Sequence, residues 1–260
     1  MVWRLLEMTA DKRAERNAPF VHRNYAHRGL HNNEGGVPEN SLAAFALAAE
    51  KGYGAELDVQ LSRDGQVVVF HDDTLNRVCG VNARVDEYNY SALKEMPLLG
   101  TGERIPLFTD VLKTFNGGTE RPLIVELKTG PRNEELCRKT FDILKQYSGI
   151  YCIESFNPMI VKWFRKHAPQ VYRGQLASTM EDYLPGQKKA VAFLLSRCAL
   201  NFLAKPDFIA YKNIEHRPAG VLRARARGTA LFAWTSRKPD KDQKENDSVI
   251  FEKYRPDPFF

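Results

Sequence analysis

Short apolar runs alternate with segments of helical period along nearly the whole chain, and this alternation limits the possible folds more than any other feature. The apolar runs are mostly continuous, which is typical of parallel strands that are buried on both faces. Eight strands are predicted, at residues 24–27, 55–60, 123–127, 151–155, 171–174, 207–210, 230–234 and 248–251. Eight strands with helices between most of them, in 260 residues, predict an α/β fold of the (β/α)8 TIM-barrel class.

Capping and stop signals place helices between these strands. A helix over 41–51 follows the motif Pro-Glu-Asn-Ser, which can cap its first turn, and it ends at Gly52. Proline is tolerated at the start of a helix, so a second helix is predicted over 158–167, which begins with Pro158. Two further helices are predicted over 133–147 and 215–227.

The two ends of the chain are expected to differ from a regular barrel. Residues 3–16 have the pattern of a short amphipathic helix, so residues 1–20 are interpreted as an N-terminal segment that packs on a barrel formed by residues 21–260. The polar tract 236–247 has almost no apolar face, and only nine residues follow Phe251. The last helices should therefore be reduced, and we expect the N-terminal segment to cover the surface left open.

Two interruptions follow the second strand. Arg-Asp-Gly at 63–65 is a tight-turn signal, so residues 67–70 should return antiparallel and bring His71 to the barrel mouth. Residues 74–106 are too irregular for one helix and are interpreted as an insertion beside the mouth. Long connections of this kind are commonly lids or specificity elements.

Composition describes an ordinary globular domain, with 43% hydrophobic and 27% charged residues. No run approaches 18 apolar residues and the start lacks the apolar region of a secretory signal, so neither membrane insertion nor export is expected. The net charge of +6 is a mild excess that can attract anionic substrates but does not indicate nucleic-acid binding. The spacing of the four cysteines suggests free thiols in a reducing cytoplasm, at Cys79, Cys137, Cys152 and Cys198.

Charged residues recur at intervals of two within two of the predicted strands. Glu56 and Asp58 share one side of the second strand, and Glu126 and Lys128 share one side of the next parallel strand. Three carboxylates at one point need a cation, and oxygen ligands favour Mg²⁺ or Ca²⁺ over zinc. The three carboxylates contribute −3, the divalent cation +2, and Arg28 with Lys128 +2. The site would therefore keep one net positive charge, which suits a singly charged phosphodiester.

Two histidines can complete this chemistry. His27 and His71 both fall at or near the predicted mouth, and imidazole can accept or donate a proton near pH 7. Arg28 can hold a phosphate oxygen bidentately, and Lys128 can act as a point charge. The pattern therefore favours metal-assisted hydrolysis of a phosphodiester.

From about Tyr25 to Phe251 the sequence resembles the glycerophosphodiester phosphodiesterase family. The motifs that match in order are His27-Arg28-Gly29, Pro38-Glu39-Asn40-Ser41, Glu56-x-Asp58, His71-Asp72-x-x-Leu75-x-Arg77, Glu126-x-Lys128, Ser155-Phe156 and Trp234-Thr235. The resemblance implies a barrel enzyme that cleaves glycerophosphodiesters to sn-glycerol 3-phosphate and an alcohol. It implies these roles: metal ligands Glu56, Asp58 and Glu126; acid and base His27 and His71; phosphate binding by Arg28 and Lys128; a glycerol pocket at Phe156 and Trp234.

Several alternatives remain open at this level. The same chemistry could act on lipid phosphodiesters, as in lysophospholipase D, if the apolar residues of the insertion supplied a channel, namely Tyr88, Tyr90, Leu93, Met96, Leu98 and Leu99. A barrel that binds phosphodiesters without turnover is a third interpretation. Glu154 could be a rim contact or structural, and Asp72 could orient a loop or touch substrate. Neither the choice between a cyclic phosphate and direct attack by water nor the oligomeric state follows from the sequence.

Overall fold

The computed structural model describes residues 10–115, 121–184, 186–238 and 241–260. Within these residues, eight parallel strands close into a barrel in the order β1–β2–β4–β5–β6–β7–β8–β9, and β9 pairs with β1. The barrel strands are β1 (Asn24–Ala26), β2 (Gly54–Leu61), β4 (Leu123–Leu127), β5 (Tyr151–Ser155), β6 (Tyr172–Ala177), β7 (Phe208–Lys212), β8 (Ala230–Ser236) and β9 (Ser248–Phe251). The predicted (β/α)8 barrel is confirmed.

The hairpin after β2 is also confirmed. Strand β3 (Val67–Val69) runs antiparallel to β2, with Leu61 opposite Val67 and Val59 opposite Val69. The backbone N–H of Phe70 then donates to the carbonyl of Asp58, at 2.9 Å. His71 therefore follows directly at the carboxyl end of the barrel strands, as expected.

Helices and short helical turns fill the connections. They are α1 (Ala10–Asn17), α2 (Leu42–Glu50), α3 (Asn76–Cys79), a 3₁₀ turn (Val85–Glu87), α4 (Tyr90–Leu93), α5 (Phe108–Thr114), α6 (Asn133–Leu144), α7 (Pro158–His167), α8 (Met180–Tyr183), α9 (Lys189–Ser196), α10 (Asn201–Ala204), α11 (Ala219–Ala226) and α12 (Lys241–Glu245). The helix predicted from residue 215 begins later, because Pro218 occupies its N-cap and the residue before a proline disfavours helical geometry. The connection between β6 and β7 holds three helices that the periodicity does not predict.

Aromatic rings fill the barrel interior at its amino end. Phe208 stacks between Tyr172 and Phe232, with ring centroids 5.2 and 4.4 Å away. Gly174 on β6 makes room for this packing, since a Cβ there would collide with the Phe208 ring. A second core lies between the strands and the outer helices, where Phe45 and Phe164 are fully buried. The carboxyl end is thus left as the polar face of the barrel.

The insertion has a hydrophobic core of its own. Leu93 and Leu98 are buried there with Val78 and Val85. Tyr88, Tyr90, Met96 and Leu99 pack against this cluster. The suggestion that these side chains supply an apolar channel for a lipid is therefore corrected, because they satisfy one another in a packed cluster.

The ends of the chain pack at different places on the barrel. Arg16 of α1 binds Asp207, at 2.8 Å, and the backbone carbonyl of Val171, at 2.9 Å, so α1 lies at the amino end of the barrel. Residues 252–260 return along the outside of β9 and β1, where the backbone N–H of Asn24 donates to the carbonyl of Pro258, at 2.9 Å. In the described part of the chain no helix follows β9, and this C-terminal stretch lies beside β9 and β1 instead. Residues 1–9 of the predicted N-terminal segment fall outside the described residues, and the division at residue 20 stays a prediction.

No helix among the described residues is both long enough and apolar enough to cross a bilayer. The four cysteines all carry free thiols. Neither observation bears on the chemistry at the barrel mouth.

Candidate active site

Three carboxylates meet inside the carboxyl end of the barrel. Glu56 and Asp58 project from β2 and Glu126 projects from β4, where Asp58 and Glu126 are partners in register. An oxygen from each lies within 4.8 Å of the other two, and all three residues are less than 7% exposed. The two strands therefore bring the three carboxylates together, as their spacing in the sequence predicts.

The negative charge of the three carboxylates is not balanced equally by the neighbouring cations, so their pKa values shift in different directions. Burial, together with the charges of Asp58 and Glu126, raises the pKa of Glu56 well above its usual range. Burial also raises the pKa of Glu126. Although burial opposes it, the charges of His71, Lys128 and Arg28 lower the pKa of Asp58. Such a cluster has the composition and spacing that a hard divalent cation requires.

Lys128 and Arg28 lie beside the carboxylates. The Lys128 Nζ is 2.9 Å from Glu126 Oε1 and 3.4 Å from Asp58 Oδ1. Arg28 Nη1 donates to Glu39 Oε1, at 2.5 Å, while its buried Nε donates to none of the described residues. Both cations therefore lie where they can reach an anion at the cluster.

The backbone around Arg28 is shaped for this position. Arg28 itself has φ 53°, and its N–H donates to Glu56 Oε2, at 3.0 Å. Gly29 follows with φ 78°, and a Cβ there would lie 2.8 Å from that of Ala44 on α2. Only glycine meets both demands without strain, which accounts for the His-Arg-Gly triplet.

His27 projects from the end of β1 next to this cluster. Its Nδ1 lies 2.9 Å from Glu252 Oε2, and its Nε2 lies 4.0 Å from Glu56 Oε2. Burial lowers the pKa of His27 to about 4, although the hydrogen bond with Glu252 opposes this shift. The imidazole is therefore neutral near pH 7, with one nitrogen engaged by Glu252 and the other directed toward the carboxylates.

His71 lies across the mouth, on the loop that leaves β3. Its Nδ1 is 2.6 Å from Asp72 Oδ1, and Asp72 in turn accepts from Arg77 Nε, at 2.7 Å. Gln60 of β2 fixes this loop by donating to the backbone carbonyls of Phe70 and Asp72, at 2.9 and 2.8 Å. Asp72, left undecided by the sequence, orients the histidine.

A polar network supports the cluster from the loop before α2. Glu39 accepts two hydrogen bonds from Arg77, at 2.7 and 2.8 Å, in addition to that from Arg28. Although burial raises it, these hydrogen bonds lower the pKa of Glu39 to about 2. Asn40 donates to Asp58 Oδ2, at 2.9 Å. This loop therefore hydrogen-bonds to Arg28 after β1, to Asp58 of β2 and to Arg77 of the insertion.

Aromatic residues border the other side of the mouth. The rings of Phe156 and Trp234 are 5.5 Å apart and nearly perpendicular, and the Trp234 indole N–H donates to the carbonyls of Ala177 and Ala210. Both rings line a cavity of about 700 Å³ that extends toward Tyr183. Both residues therefore have surface that is accessible from this cavity, which also reaches Thr129, next to Lys128.

Glu154 is a buried carboxylate that the sequence left undecided. It is the register partner of Glu126, is 1% exposed, and its Oε2 accepts no hydrogen bond from the described residues. Burial and the charges of Glu56 and Glu126 raise its pKa well above the usual range. Glu154 is therefore a buried side chain of the barrel interior and not a contact at the rim.

All nine predicted site residues lie around the barrel mouth, but their supporting partners were not predicted. Glu252 contacts His27 across 225 positions, whereas Glu39, Asn40 and Gln60 contact residues 10 to 38 positions away. The only sequence signal for these four supporting residues was that each lies in or next to a recognisable motif or a strand end. Glu252, which directly follows β9, brings a carboxylate to His27.

Comparison with known sequences agrees with this geometry. The model of the Glycerophosphoryl diester phosphodiesterase family matches residues 27–260. A glycerophosphodiester phosphodiesterase of Caldanaerobacter subterraneus is 35% identical over 58% of this chain, an alignment that spans 65% of that relative, just under two thirds. A putative glycerophosphodiester phosphodiesterase of Bacillus subtilis, YhdW, is 30% identical over 81% of this chain and 84% of its own length. Lysophospholipase D GDPD1 of Rattus norvegicus is 33% identical over 55% of this chain and 47% of its own length.

Solved structures have the same fold. A phosphodiesterase of Oleispira antarctica, in complex with the product sn-glycerol-3-phosphate, has a TM-score of 0.74 at 24% identity and covers 90% of this chain and 94% of its own. A glycerophosphodiester phosphodiesterase of Thermotoga maritima has a TM-score of 0.65 at 27% identity, covering 88% and 93%. Because the family model spans the barrel from His27 to the last residue, this chain belongs to the glycerophosphoryl diester phosphodiesterase family.

Proposed function

We propose that this protein hydrolyses glycerophosphodiesters to sn-glycerol 3-phosphate and an alcohol. The observation that carries the proposal is the convergence of three buried carboxylates with two carboxylate-paired histidines at one barrel mouth. The bound sn-glycerol-3-phosphate of the Oleispira antarctica phosphodiesterase supports the same product class.

Glu56, Asp58 and Glu126 are proposed to hold one divalent cation, Mg²⁺ or Ca²⁺. The fit is supported by three oxygens within 4.8 Å of one another and by Asp58 Oδ1, which is buried and accepts no hydrogen bond from the described residues. The raised pKa of Glu56 has the same origin, since burial and neighbouring carboxylates disfavour its charge. A cation bound there supplies charge stabilisation for the phosphoryl oxygens.

His27 and His71 are proposed as the proton-transfer pair. Each has Nδ1 engaged by a carboxylate, which leaves Nε2 as the reactive nitrogen. One accepts the proton of the attacking hydroxyl, and the other donates a proton to the leaving alkoxide oxygen. Their carboxylate partners, Glu252 and Asp72, hold the rings in place.

Arg28 and Lys128 are proposed to bind the phosphate. The free Nε of Arg28 and the Nζ of Lys128 both border Asp58, at 3.7 and 3.4 Å. They can therefore offset the charge of a phosphodiester placed over the carboxylates. Phe156 and Trp234 are proposed to line the pocket of the glycerol group, since both rings line a cavity that also reaches Thr129, next to Lys128.

A second substrate class is favoured by one specific observation. The cavity beyond Phe156 and Trp234 is large and includes Val191 and Leu195, so an acyl chain on the glycerol has a place to lie. Three mammalian relatives carry the name lysophospholipase D. A monoacyl glycerophosphodiester is thus the alternative substrate.

The proposed partner is a small phosphodiester, and no nucleic acid is proposed. We also propose a cytoplasmic location, because four unpaired cysteines suit a reducing compartment. The chain is divided, as a proposal, into the N-terminal segment 1–20 and the barrel 21–260.

The test uses glycerophosphocholine, glycerophosphoethanolamine, glycerophosphoinositol and lysophosphatidylcholine as substrates, with and without excess chelator. We expect release of glycerol 3-phosphate from the three glycerophosphodiesters, whereas the alternative substrate, lysophosphatidylcholine, would release lysophosphatidate and choline. Release should stop on chelation and return with Mg²⁺ or Ca²⁺. His71→Ala should lower kcat by roughly 10²-fold, whereas His216→Ala, on an exposed loop, should not change it. A rate that excess chelator does not change would show that the reaction needs no cation. A fully active His71→Ala would show that His71 does not transfer a proton.

A further inference from the structure

The segment between β6 and β7 exposes an unusual amount of apolar surface. Ten large apolar side chains are exposed among the described residues, and five of them lie between residues 184 and 202. These five, named here the apolar patch, are Leu184, Val191, Phe193, Leu194 and Phe202. Exposed apolar residues grouped in this way mark interaction surfaces.

Helix α9 is apolar on its outer face as well as its inner face. Ala192 and Ser196 are buried toward the barrel, while Val191, Phe193 and Leu194 remain 38%, 45% and 39% exposed. A helix that is apolar all round is normally enclosed by protein or lipid. The outer face of α9 is therefore suited to contact with another molecule, because none of the described residues covers it.

Basic residues border this face. Lys188 and Lys189 precede or begin α9, Arg197 follows it, and Lys205 follows α10. Within the described residues, none of the four has a carboxylate oxygen within 4.0 Å. The Arg197 guanidinium lies over the Phe193 ring, 3.8 Å from its centroid.

This arrangement matches helices that lie in the interface of a bilayer. Such helices place aromatic and aliphatic side chains toward the acyl chains and lysines or arginines toward anionic headgroups. The aliphatic stems of Lys188, Lys189 and Arg197 are long enough to let their charges reach the headgroups. The nearest acidic residue before the helix, Asp182, is already paired with Lys212, at 2.8 Å.

The patch adjoins the barrel mouth. Val191 and Leu195 of α9 line the same cavity as Phe156 and Trp234. Tyr183 of α8 continues the aromatic contact, with its ring 6.0 Å from that of Phe156. A surface that covered the patch would therefore lie next to the opening through which a substrate enters.

We propose that the apolar patch docks on an anionic lipid bilayer, with Phe193 and Leu194 inserted at the interface and Lys188, Lys189 and Arg197 at the headgroups. Docking is peripheral and brings the barrel mouth to the membrane surface. The inference goes beyond the proposed function and does not depend on which phosphodiester is cleaved.

A second copy of the chain is a poorer occupant for physical reasons. A two-fold interface brings the same patch of both subunits together. Both facing patches would then carry the positive charges of Lys188, Lys189 and Arg197, and like charges across an interface oppose association. Anionic headgroups have the opposite charge and meet no such obstacle.

The test is co-sedimentation of the full chain with vesicles of phosphatidylglycerol and phosphatidylcholine in equal parts, against vesicles of phosphatidylcholine alone. We expect binding to the anionic vesicles that weakens as salt is added. The double variant Phe193→Ser and Leu194→Ser should lower the vesicle affinity by roughly 10-fold or more for each side chain. Lys188→Gln with Lys189→Gln should weaken binding to the anionic vesicles alone.

Leu222→Ser is the matched control, since Leu222 is 51% exposed on α11, outside the patch. Wild-type protein that stays in the supernatant, or an equal loss of binding in Leu222→Ser, overturns the proposal. A wild-type dimer that becomes monomeric in the double variant, by light scattering, assigns the patch to a second copy instead. Turnover of soluble glycerophosphocholine is measured on every variant, and retained turnover shows that the barrel is intact. If the wild type shows no turnover, the proposed function is overturned, but the vesicle result still stands.

Discussion

Replacing Glu252 with glutamine should slow the proposed hydrolysis by removing a charge while preserving the shape of the side chain. Glu252 Oε2 lies 2.9 Å from His27 Nδ1, and Oε1 accepts from Arg237 Nε, at 2.6 Å. The hydrogen bond with His27 lowers the pKa of Glu252 to about 2, so this side chain is a carboxylate throughout the working pH range. Glutamine can keep a hydrogen bond to His27 but cannot stabilise its protonated form by charge.

The expected size of the effect follows from this contact. A hydrogen bond to a charged group contributes about 1.5–3 kcal/mol, and about 1.36 kcal/mol corresponds to a tenfold change in rate. We therefore expect Glu252→Gln to lower kcat roughly 10- to 100-fold. Burial lowers the pKa of His27 to about 4 and the interaction with Glu252 opposes that shift. Without the carboxylate, the limb of the pH profile that reports His27 should move to lower pH.

The assay is release of glycerol 3-phosphate from glycerophosphocholine at saturating Mg²⁺ or Ca²⁺, followed across pH. Glu245→Gln provides the control, because the Glu245 side chain is exposed on α12 and the hydrogen bond that Glu245 accepts from Arg225 of α11 goes to its backbone carbonyl. A merely structural role for Glu252 would lower stability without moving the pH profile. Full kcat and an unmoved profile in Glu252→Gln would refute the assignment of His27 as a proton-transfer group supported by Glu252.

Three other outcomes can be measured without turnover. A divalent cation at 100 times its Kd should raise the free energy of unfolding of the wild type by about 2.7 kcal/mol, and Glu56→Gln should lose most of that gain in thermal or urea unfolding because it removes a ligand. The pKa of Glu39 is lowered to about 2 in the folded protein by its hydrogen bonds with Arg77. Its contribution to stability is therefore present above its ordinary pKa near 4.5 and lost as pH falls toward 2, so Arg77→Met should flatten the acid limb of the stability curve measured by urea unfolding. Phe208→Ala should cost about 3–5 kcal/mol in the same assay, because Phe208 is fully buried between two stacked rings; a loss below about 1 kcal/mol would contradict the packing account.

The strands were predictable because parallel barrel strands are buried on both faces. Leu123–Leu127 and Ser248–Phe251 are short and continuously apolar apart from one or two polar positions, and the structure places strands there. The helix before β8 was less predictable. This helix, α11, begins after Pro218, which is its N-cap residue, and so it does not start at residue 215 as predicted.

The carboxylate cluster was predictable for a similar reason. Residues two apart on a strand share a face, so Glu56 and Asp58 had to point together, and parallel strand ends had to bring Glu126 near them. The support for His27 was not predictable. His27 and Glu252 are 225 positions apart, and no local pattern encodes a pairing over that distance.

The sequence by itself determined the class of fold and the set of charged residues at its mouth, because strand periodicity and strand count depend only on local order along the chain. Tertiary structure decided which partners hold those residues. Closure of the ring places β9 beside β1, which brings Glu252 to His27, and the return of β3 along β2 leads into the segment whose Arg77 binds Glu39. Tertiary structure also decided that α9 lies on the surface with its apolar side chains exposed next to the mouth, since burial is a property of neighbours that the local sequence does not specify.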